Sequence, residues 1–361
     1  MDRAHVISPA PRDAWNALLA ADPDSMVHQT PAWADAVRTA TRRVDVSRLY
    51  VLDDGRRLLL PLLRRSPLPG LILDDSHPSP WGHGDLLASG GVRPSDVRLV
   101  LTDLVQNGRA TRTRLLANYA TAATWEAGLL PGVLRHSGTA HVLDLDGGFE
   151  QAWNQRFAKS VRTAIRKAEK SGVVVQRSTS GELTSTFYDT YLRWADDRAR
   201  ESGTPPRLAA LVARQREPLR VFEAVAAELG AACRQWVAWH QGEPVAVLIT
   251  LVHGEHATAW RGYGRKALAG PVRAVNLLDK VAIEDACDAG CRFFSFGQSG
   301  GIAGLERYKE AFGATPRPTG DYRIERLPLA RLEALWYRAE AGMGTMLTSA
   351  GPRARRRATP D

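Results

Sequence analysis

Cysteine is nearly absent: Cys233, Cys287 and Cys291 are the only three in 361 residues. So small and odd a count excludes a disulfide scaffold, and no cysteine pair stands near histidines at a metal-ligand spacing. Cys287 and Cys291 are four apart on one expected helix face, which reads as small buried side chains. Long apolar runs are missing as well; none approaches the ~18 residues of a membrane span. The first residues, MDRAHVISPAPRDAW, carry charge and no apolar core segment, so no secretory signal is read there. These absences together predict a reduced cytoplasmic protein with no structural metal and no transmembrane segment. Lysine is the last scarcity. Of 48 basic residues only Lys159, Lys167, Lys170, Lys266, Lys280 and Lys309 are lysine, leaving 42 arginines. A biased genome explains surface exchange of Lys for Arg. It does not explain a lysine kept among glycines and aromatics in GLERYKEAFGA, residues 304–314.

What is present begins with size and charge. A chain of 361 residues is long for one domain, and 44% apolar content supplies real cores. The net charge of +9 suits an anionic partner: RNA, a nucleotide phosphate or an acidic membrane surface. An arginine-rich proteome gives the same sum, so clustering of the charge decides.

Two similar series of elements follow one another. In the first, PRDAWNALLAAD and PAWADAVRTATRR read as helices, and SRLYVLDDGRRLLLPLLRR as strand, Asp-Gly turn, strand. LPGLILDD adds a strand, PSDVRLVLTDLVQNG a helix closed by Gly108, TRLLANY a strand, TAATWEAG a short helix and VLRHSGTAHVLDL a strand. In the second, residues 149–171 read as one helix ended by Gly172, VVVQR as a strand and 180–228 as helical. RQWVAWHQGEPVAVLITLV is a hairpin around Gly242, HATAWRGY a strand, PVRAVNLLDKVAIEDACDAG a helix, CRFFSFG a strand, ERYKEAF a short helix and DYRIERL a strand. The hairpin and helix-ending glycines recur at nearly equal offsets, as in a duplicated fold. The order in the second series is that of the GNAT acyltransferase fold. The expected class is therefore α/β: two tandem GNAT-like domains, 1–147 and 148–345, with mixed sheets flanked by helices and a basic, disordered tail at 346–361.

Three segments carry chemistry. At about 100° per residue, Lys159, Arg162, Arg166 and Lys170 share one stripe of the 149–171 helix, with Arg156 and Lys167 beside it. Phe157, Val161, Ala164, Ile165 and Ala168 fall opposite. Six cations without interleaved acids fit a polyanion such as tRNA; the plainer account is a solvated face neutralised by Asp196 or Asp197. Next, Gly297, Gly300, Gly301 and Gly304 follow the strand 293–296, where backbone N–H groups can approach an oxyanion, and Lys309 follows on a short helix. Last, LDDSHPSPWGHGDLL, residues 73–87, offers Asp75, His77, His83 and Asp85 as candidate bases for an acceptor amine and Trp81 as a pocket wall. Histidines and acids in such a loop also serve simply as turn formers. His77 and His83 suggest a metal, but nothing completes a ligand set.

SVRTAIRKAEKSGVVV, the WRGY strand with the helix and FFSFG after it, and GGIAGLERYKEAFGATP resemble the FemABX-type transferases, a branch of the GNAT superfamily with tandem domains. HQTPAWADAV resembles that family's opening segment, and the likeness spans about residues 10–330. The resemblance implies that Tyr308 and Lys309 lie in the transfer site. It also implies that a basic residue after Trp33, for which Arg38 serves, binds substrate phosphate. Ser295 stands where the family pattern has aspartate, Tyr308 where it has phenylalanine and Ala314 where it has a final glycine. By this resemblance the chain moves an amino acid from aminoacyl-tRNA, as co-substrate, to an amine of a peptide, peptidoglycan precursor or natural-product intermediate, forming an amide bond. An aminoacyl ester is already activated, so no further cofactor is expected.

Two alternatives stay open. One is a GNAT N-acyltransferase using acyl-CoA or a carrier-protein thioester. Its pyrophosphate loop is expected at RGYGRKALAGPVRAV, where Arg261-Gly-Tyr-Gly264-Arg-Lys266 ends in lysine rather than a small residue. The other is a GNAT pair without activity that binds RNA or envelope material.

Overall fold

The computed structural model describes residues 4–78 and 81–329. The expected basic tail and the end of the second domain lie outside them. In chain order the first half holds β1 (Ala4–Ile7), α1 (Arg12–Ala21), α2 (Pro31–Ala40), β2 (Val44–Asp45), β3 (Arg48–Leu52) and β4 (Arg57–Leu60). Then come β5 (Leu63–Leu68), β6 (Leu71–Asp75), β7 (Leu87–Ala88), α3 (Pro94–Asn107), β8 (Arg112–Ala117), α4 (Ala122–Gly128) and β9 (Leu134–Asp144). The second half holds α5 (Gly148–Gln151), one π-helical turn (Ala152–Arg156), α6 (Lys159–Lys170), β10 (Val174–Ser178), α7 (Thr184–Ser202), α8 (Pro206–Arg216) and α9 (Leu219–Leu229). It continues with β11 (Cys233–His240), β12 (Glu243–His253), β13 (His256–Gly264), α10 (Lys266–Val272), α11 (Ala274–Asp288), β14 (Phe293–Gln298), α12 (Ala303–Ala311) and β15 (Thr315–Glu325).

The fold is mixed α/β. A sheet of four strands, β1-β3-β4-β7, stands beside one of eleven, β10-β11-β12-β13-β14-β9-β15-β8-β6-β5-β2. The large sheet crosses residue 147, because the last strands of the halves are exchanged. β9 pairs with β14 of the second half, Phe293 opposite Asp144. β15 pairs with β8 of the first half, Gly320 opposite Ala117. β9 and β15 then pair with each other over nine residue pairs, Thr315↔Val142 to Arg323↔Leu134. A shared apolar core reinforces the seam: Trp33 of α2, Trp81 and Trp260 of β13 meet edge to face, with Trp33–Trp260 centroids 5.6 Å apart.

Helix 149–171 is a correction to the sequence reading. It breaks at Ala158, whose backbone is extended (φ −59°, ψ 151°). Phe157 turns in to meet Phe312 at 5.1 Å, and the Ala158 N–H bonds the Ala311 carbonyl at 2.8 Å. This tertiary packing outweighs the local preference for continuous helix. Cys291 likewise lies beyond the end of α11, not on its face.

Candidate functional site

β13 and β14 run parallel for only three pairs, His256↔Phe293 to Thr258↔Ser295. On its other side β14 leaves β9 between Ser295 and Gln298. Phe296 and Gly297 are therefore outside both ladders, and Gly297 adopts φ +67°, a conformation that suits glycine. The splayed strands open a cleft of about 420 Å³. Its walls are Thr258–Arg261 of β13, Ser295–Gln298 of β14, the middle of β9 and of β15, Arg114 and Asn118 at β8, and Trp81–His83.

Of the residues singled out from the 73–87 loop, Trp81 and His83 reach this cleft and the others do not. Asp75 is buried in ion pairs with Arg43 at 2.8 Å and Arg112 at 3.7 Å. His77 is buried and its Nδ1 accepts from the Trp33 indole at 3.2 Å. Asp85 is buried, accepting from the Thr121 hydroxyl at 2.7 Å and the Asn118 N–H at 3.0 Å. Burial pushes its carboxyl up to about 7. Arg38 is exposed on α2, paired with Asp35 at 3.0 Å, in a separate shallow depression. Among the described residues no group of three or more His, Cys, Asp or Glu is placed to hold a metal.

The sequence reading missed His28 and Asn118. His28 lines the cleft, is 4% exposed, and neither ring nitrogen has a partner. It fits because residue 82 is glycine; a Cβ there would sit 2.3 Å from the ring. Burial holds His28 neutral, down to about 3, and His83 down to about 4. The Nδ2 of Asn118, also lining the cleft, is unpartnered. His83 Nε2 lies 3.2 Å from Gln298 Nε2, which donates to the Thr319 hydroxyl at 2.9 Å. The cleft thus offers neutral imidazoles, an amide and an indole wall that can orient a polar ligand, beside Arg114 and Arg261, which pair with Asp321 at 2.7 Å and Glu217 at 2.6 Å. No motif links these residues, since they come from four separated segments.

Lys309 stands behind the β14 wall. It is 4% exposed, and its ammonium donates to the carbonyls of Gly297 at 2.8 Å and Gln298 at 3.0 Å. Two of its three N–H groups are used so, leaving one. Burial lowers it to about 8, partly opposed by Asp279 and Glu306. Tyr308, beside it, donates to buried Asp279 at 2.6 Å. Burial raises Asp279 to about 6 and Tyr308 well above its usual value.

The cationic face is smaller than the sequence suggested. Arg162 folds back to donate to the carbonyls of Trp153, Asn154 and Phe157 at 2.9, 3.2 and 2.8 Å. Arg156 lies before α6 and donates to the Asp146 carbonyl at 2.8 Å. Arg166 rests over the Trp153 ring at 5.9 Å. Lys159, Lys167 and Lys170 are exposed, with no acid partner among the described residues. Asp196 and Asp197, the expected neutralisers, pair instead with Arg200 and Arg265.

Residues 155–310 match the acetyltransferase (GNAT) domain family. No curated protein matches the chain. Among solved structures, FemX superposes with a TM-score of 0.66 at 12% identity, over 91% of this chain and 99% of FemX. The C-terminal domain of an Agrobacterium fabrum protein named for lysylphosphatidylglycerol synthetase gives 0.52 at 13% identity, over 90% and 93%. L-PGS from Bacillus licheniformis gives 0.50 at 15% identity, over 88% and 92%. The chain has the FemX-type fold, and the residues that match the GNAT domain family lie in its second half.

Proposed function

We propose that the chain transfers an aminoacyl group from aminoacyl-tRNA to an amine of a small molecule or peptide, forming an amide bond. The observation that carries this reading is the pairing of two features on one support. The N-terminus of α6 is bonded to the end of α12 through Ala158 and Ala311, and α12 carries Lys309, which stands behind the cleft and holds the Gly297 and Gln298 carbonyls of its β14 wall. A phosphate backbone held on Lys159, Lys167 and Lys170 lies on the element that abuts this wall. Such binding is electrostatic and strongly salt-dependent. Lys309 steadies the negative charge of the tetrahedral intermediate or of the departing tRNA 3′ oxygen through its remaining N–H. Tyr308 anchors the helix through Asp279. The acceptor occupies the cleft, oriented by His28, His83, Asn118 and Trp81. The ester is already activated, so positioning and charge stabilisation suffice. The same reading treats 1–147 and 148–345 as two GNAT-like units sharing one sheet. The name given to one neighbour, lysylphosphatidylglycerol synthetase, agrees with an aminoacyl donor.

The alternative, an acyl-CoA donor, meets a specific obstacle. The segment that would cradle pyrophosphate is strand through Gly264, paired Tyr263↔Val247 and Gly264↔Ala246, and the Arg265 N–H goes to the Val245 carbonyl at 3.0 Å. The test is incubation of a pool of candidate amines with labelled aminoacyl-tRNA and, in parallel, with labelled acyl-CoA. Label appearing in an amide product supports the reading; label moving only from acyl-CoA overturns it.

A further inference from the structure

The helix α8 is packed the opposite way from an ordinary surface helix, which turns its apolar stripe to the core. Its small residue Ala213 is buried toward α7, where the Tyr191 hydroxyl donates to the Ala213 carbonyl at 2.9 Å. Its large ones face water: Leu208 is 52% exposed, Leu211 54% and Val212 51%. At about 100° per residue these three span a stripe covering about 100° of the helix surface, with exposed Gln215 among them. Arg207 and Arg214 flank that stripe on one edge and Arg216 on the other, and no acid occurs from 206 to 216.

We propose that α8 is an interfacial helix that docks on an anionic lipid bilayer. Apolar side chains outward with arginines at both edges are the pattern of a helix lying in the membrane surface plane. Arginine suits the edges because its apolar stem lies along the hydrocarbon boundary while the guanidinium reaches head-group phosphates. A second copy on this face would set arginine against arginine. RNA would offer no apolar surface to three aliphatic side chains, and α6, the other basic helix, exposes no large apolar side chain. The proposal does not depend on the donor or acceptor of the transfer reaction. It places the chain at a membrane surface; no described helix is long and apolar enough to cross one.

The experiment is co-sedimentation of the full chain with phosphatidylserine–phosphatidylcholine vesicles and with phosphatidylcholine vesicles, at low and high salt. The variants Leu211→Glu and Arg207→Gln/Arg214→Gln sit on the exposed face, and circular dichroism checks their fold. The expected result is binding to the anionic vesicles only, weakened about tenfold by Leu211→Glu and about fivefold for each arginine neutralised. Replacing phosphatidylserine by phosphatidylglycerol at equal charge is expected to leave binding unchanged. Three results would overturn it: no vesicle binding; vesicle binding insensitive to both variants and lost instead in Lys167→Glu; or a dimer in light scattering that Leu211→Glu dissolves, without vesicle binding.

Discussion

Replacing Lys309 by methionine leaves an unbranched side chain one atom shorter and removes its charge and donors. Two opposed effects act on stability. The two bonds to the Gly297 and Gln298 carbonyls are lost, each charge-assisted and worth about 1.5–3 kcal/mol at most. Gln298 is exposed and Gly297 half-exposed, so water replaces much of that loss. Against it stands the cost of keeping an ammonium 4% exposed, seen in its depression to about 8. The net change should be about 1 kcal/mol in either direction, a shift of Tm of a few degrees. Activity should respond quite differently, because removing one preorganised donor from a developing oxyanion costs about 10²–10³ in kcat. Lys309→Met is therefore expected to melt within a few degrees of the parent and to transfer labelled amino acid from tRNA at least about a hundredfold more slowly. A folded variant that transfers within threefold of the parent would refute the catalytic reasoning. Loss of folding would show that the two carbonyl bonds are the lysine's main task.

The scarcity of lysine gives a second prediction. Selective ¹³C labelling yields six ε-methylene signals, and the one lost in Lys309→Arg should titrate at about 8. If the ammonium is the active form, the transfer rate falls as pH rises through that value; Asp279→Asn, which removes a charge that favours the ammonium, moves both midpoints down. Asp85 supplies a stability test. Its folded pKa of about 7 stands above the unfolded value, so the folded state holds the proton more tightly. Its contribution is fullest below about pH 4 and is lost as pH rises to about 7; Asp85→Asn should thus gain up to ~4 kcal/mol over the parent at pH 8 in urea melts. Charge reversal at Lys159, Lys167 and Lys170 should lower the salt slope of tRNA binding by about 2–3. Arg162→Ala should instead destabilise the fold, measured in the same melts, because three carbonyls lose their donor. Finally, His28→Ala or Asn118→Ala should raise the acceptor KM more than they lower kcat, since both orient the bound ligand.

Much of this architecture was legible. Periodic apolar spacing placed α2, α3 and α11, and Asp-Gly and Gln-Gly turns placed the hairpins β3–β4 and β11–β12. What local pattern could not carry was pairing between distant strands. Nothing in VLRHSGTAHVLDL says that its neighbours are β14 and β15, about 150 residues on. The break at Ala158 was hidden for the same reason: its cause is Phe312, far along the chain. Charge was legible as a sum and misleading as a surface, because Arg156 and Arg162 spend their donors on nearby carbonyls. In the 73–87 loop residue type alone did not separate ligand-facing groups from structural ones. Asp75 and His77 are consumed by Arg43 and Trp33, whereas His28, with no motif around it, points unpartnered into the cleft.

The most direct test of the transfer reading is binding of the purified chain to charged and uncharged tRNA across a salt series, with acetyl-CoA titrated in parallel. The account predicts preference for charged tRNA, affinity falling steeply with salt, and no binding of the coenzyme. Tight acetyl-CoA binding, with weak tRNA binding indifferent to charging, would contradict it.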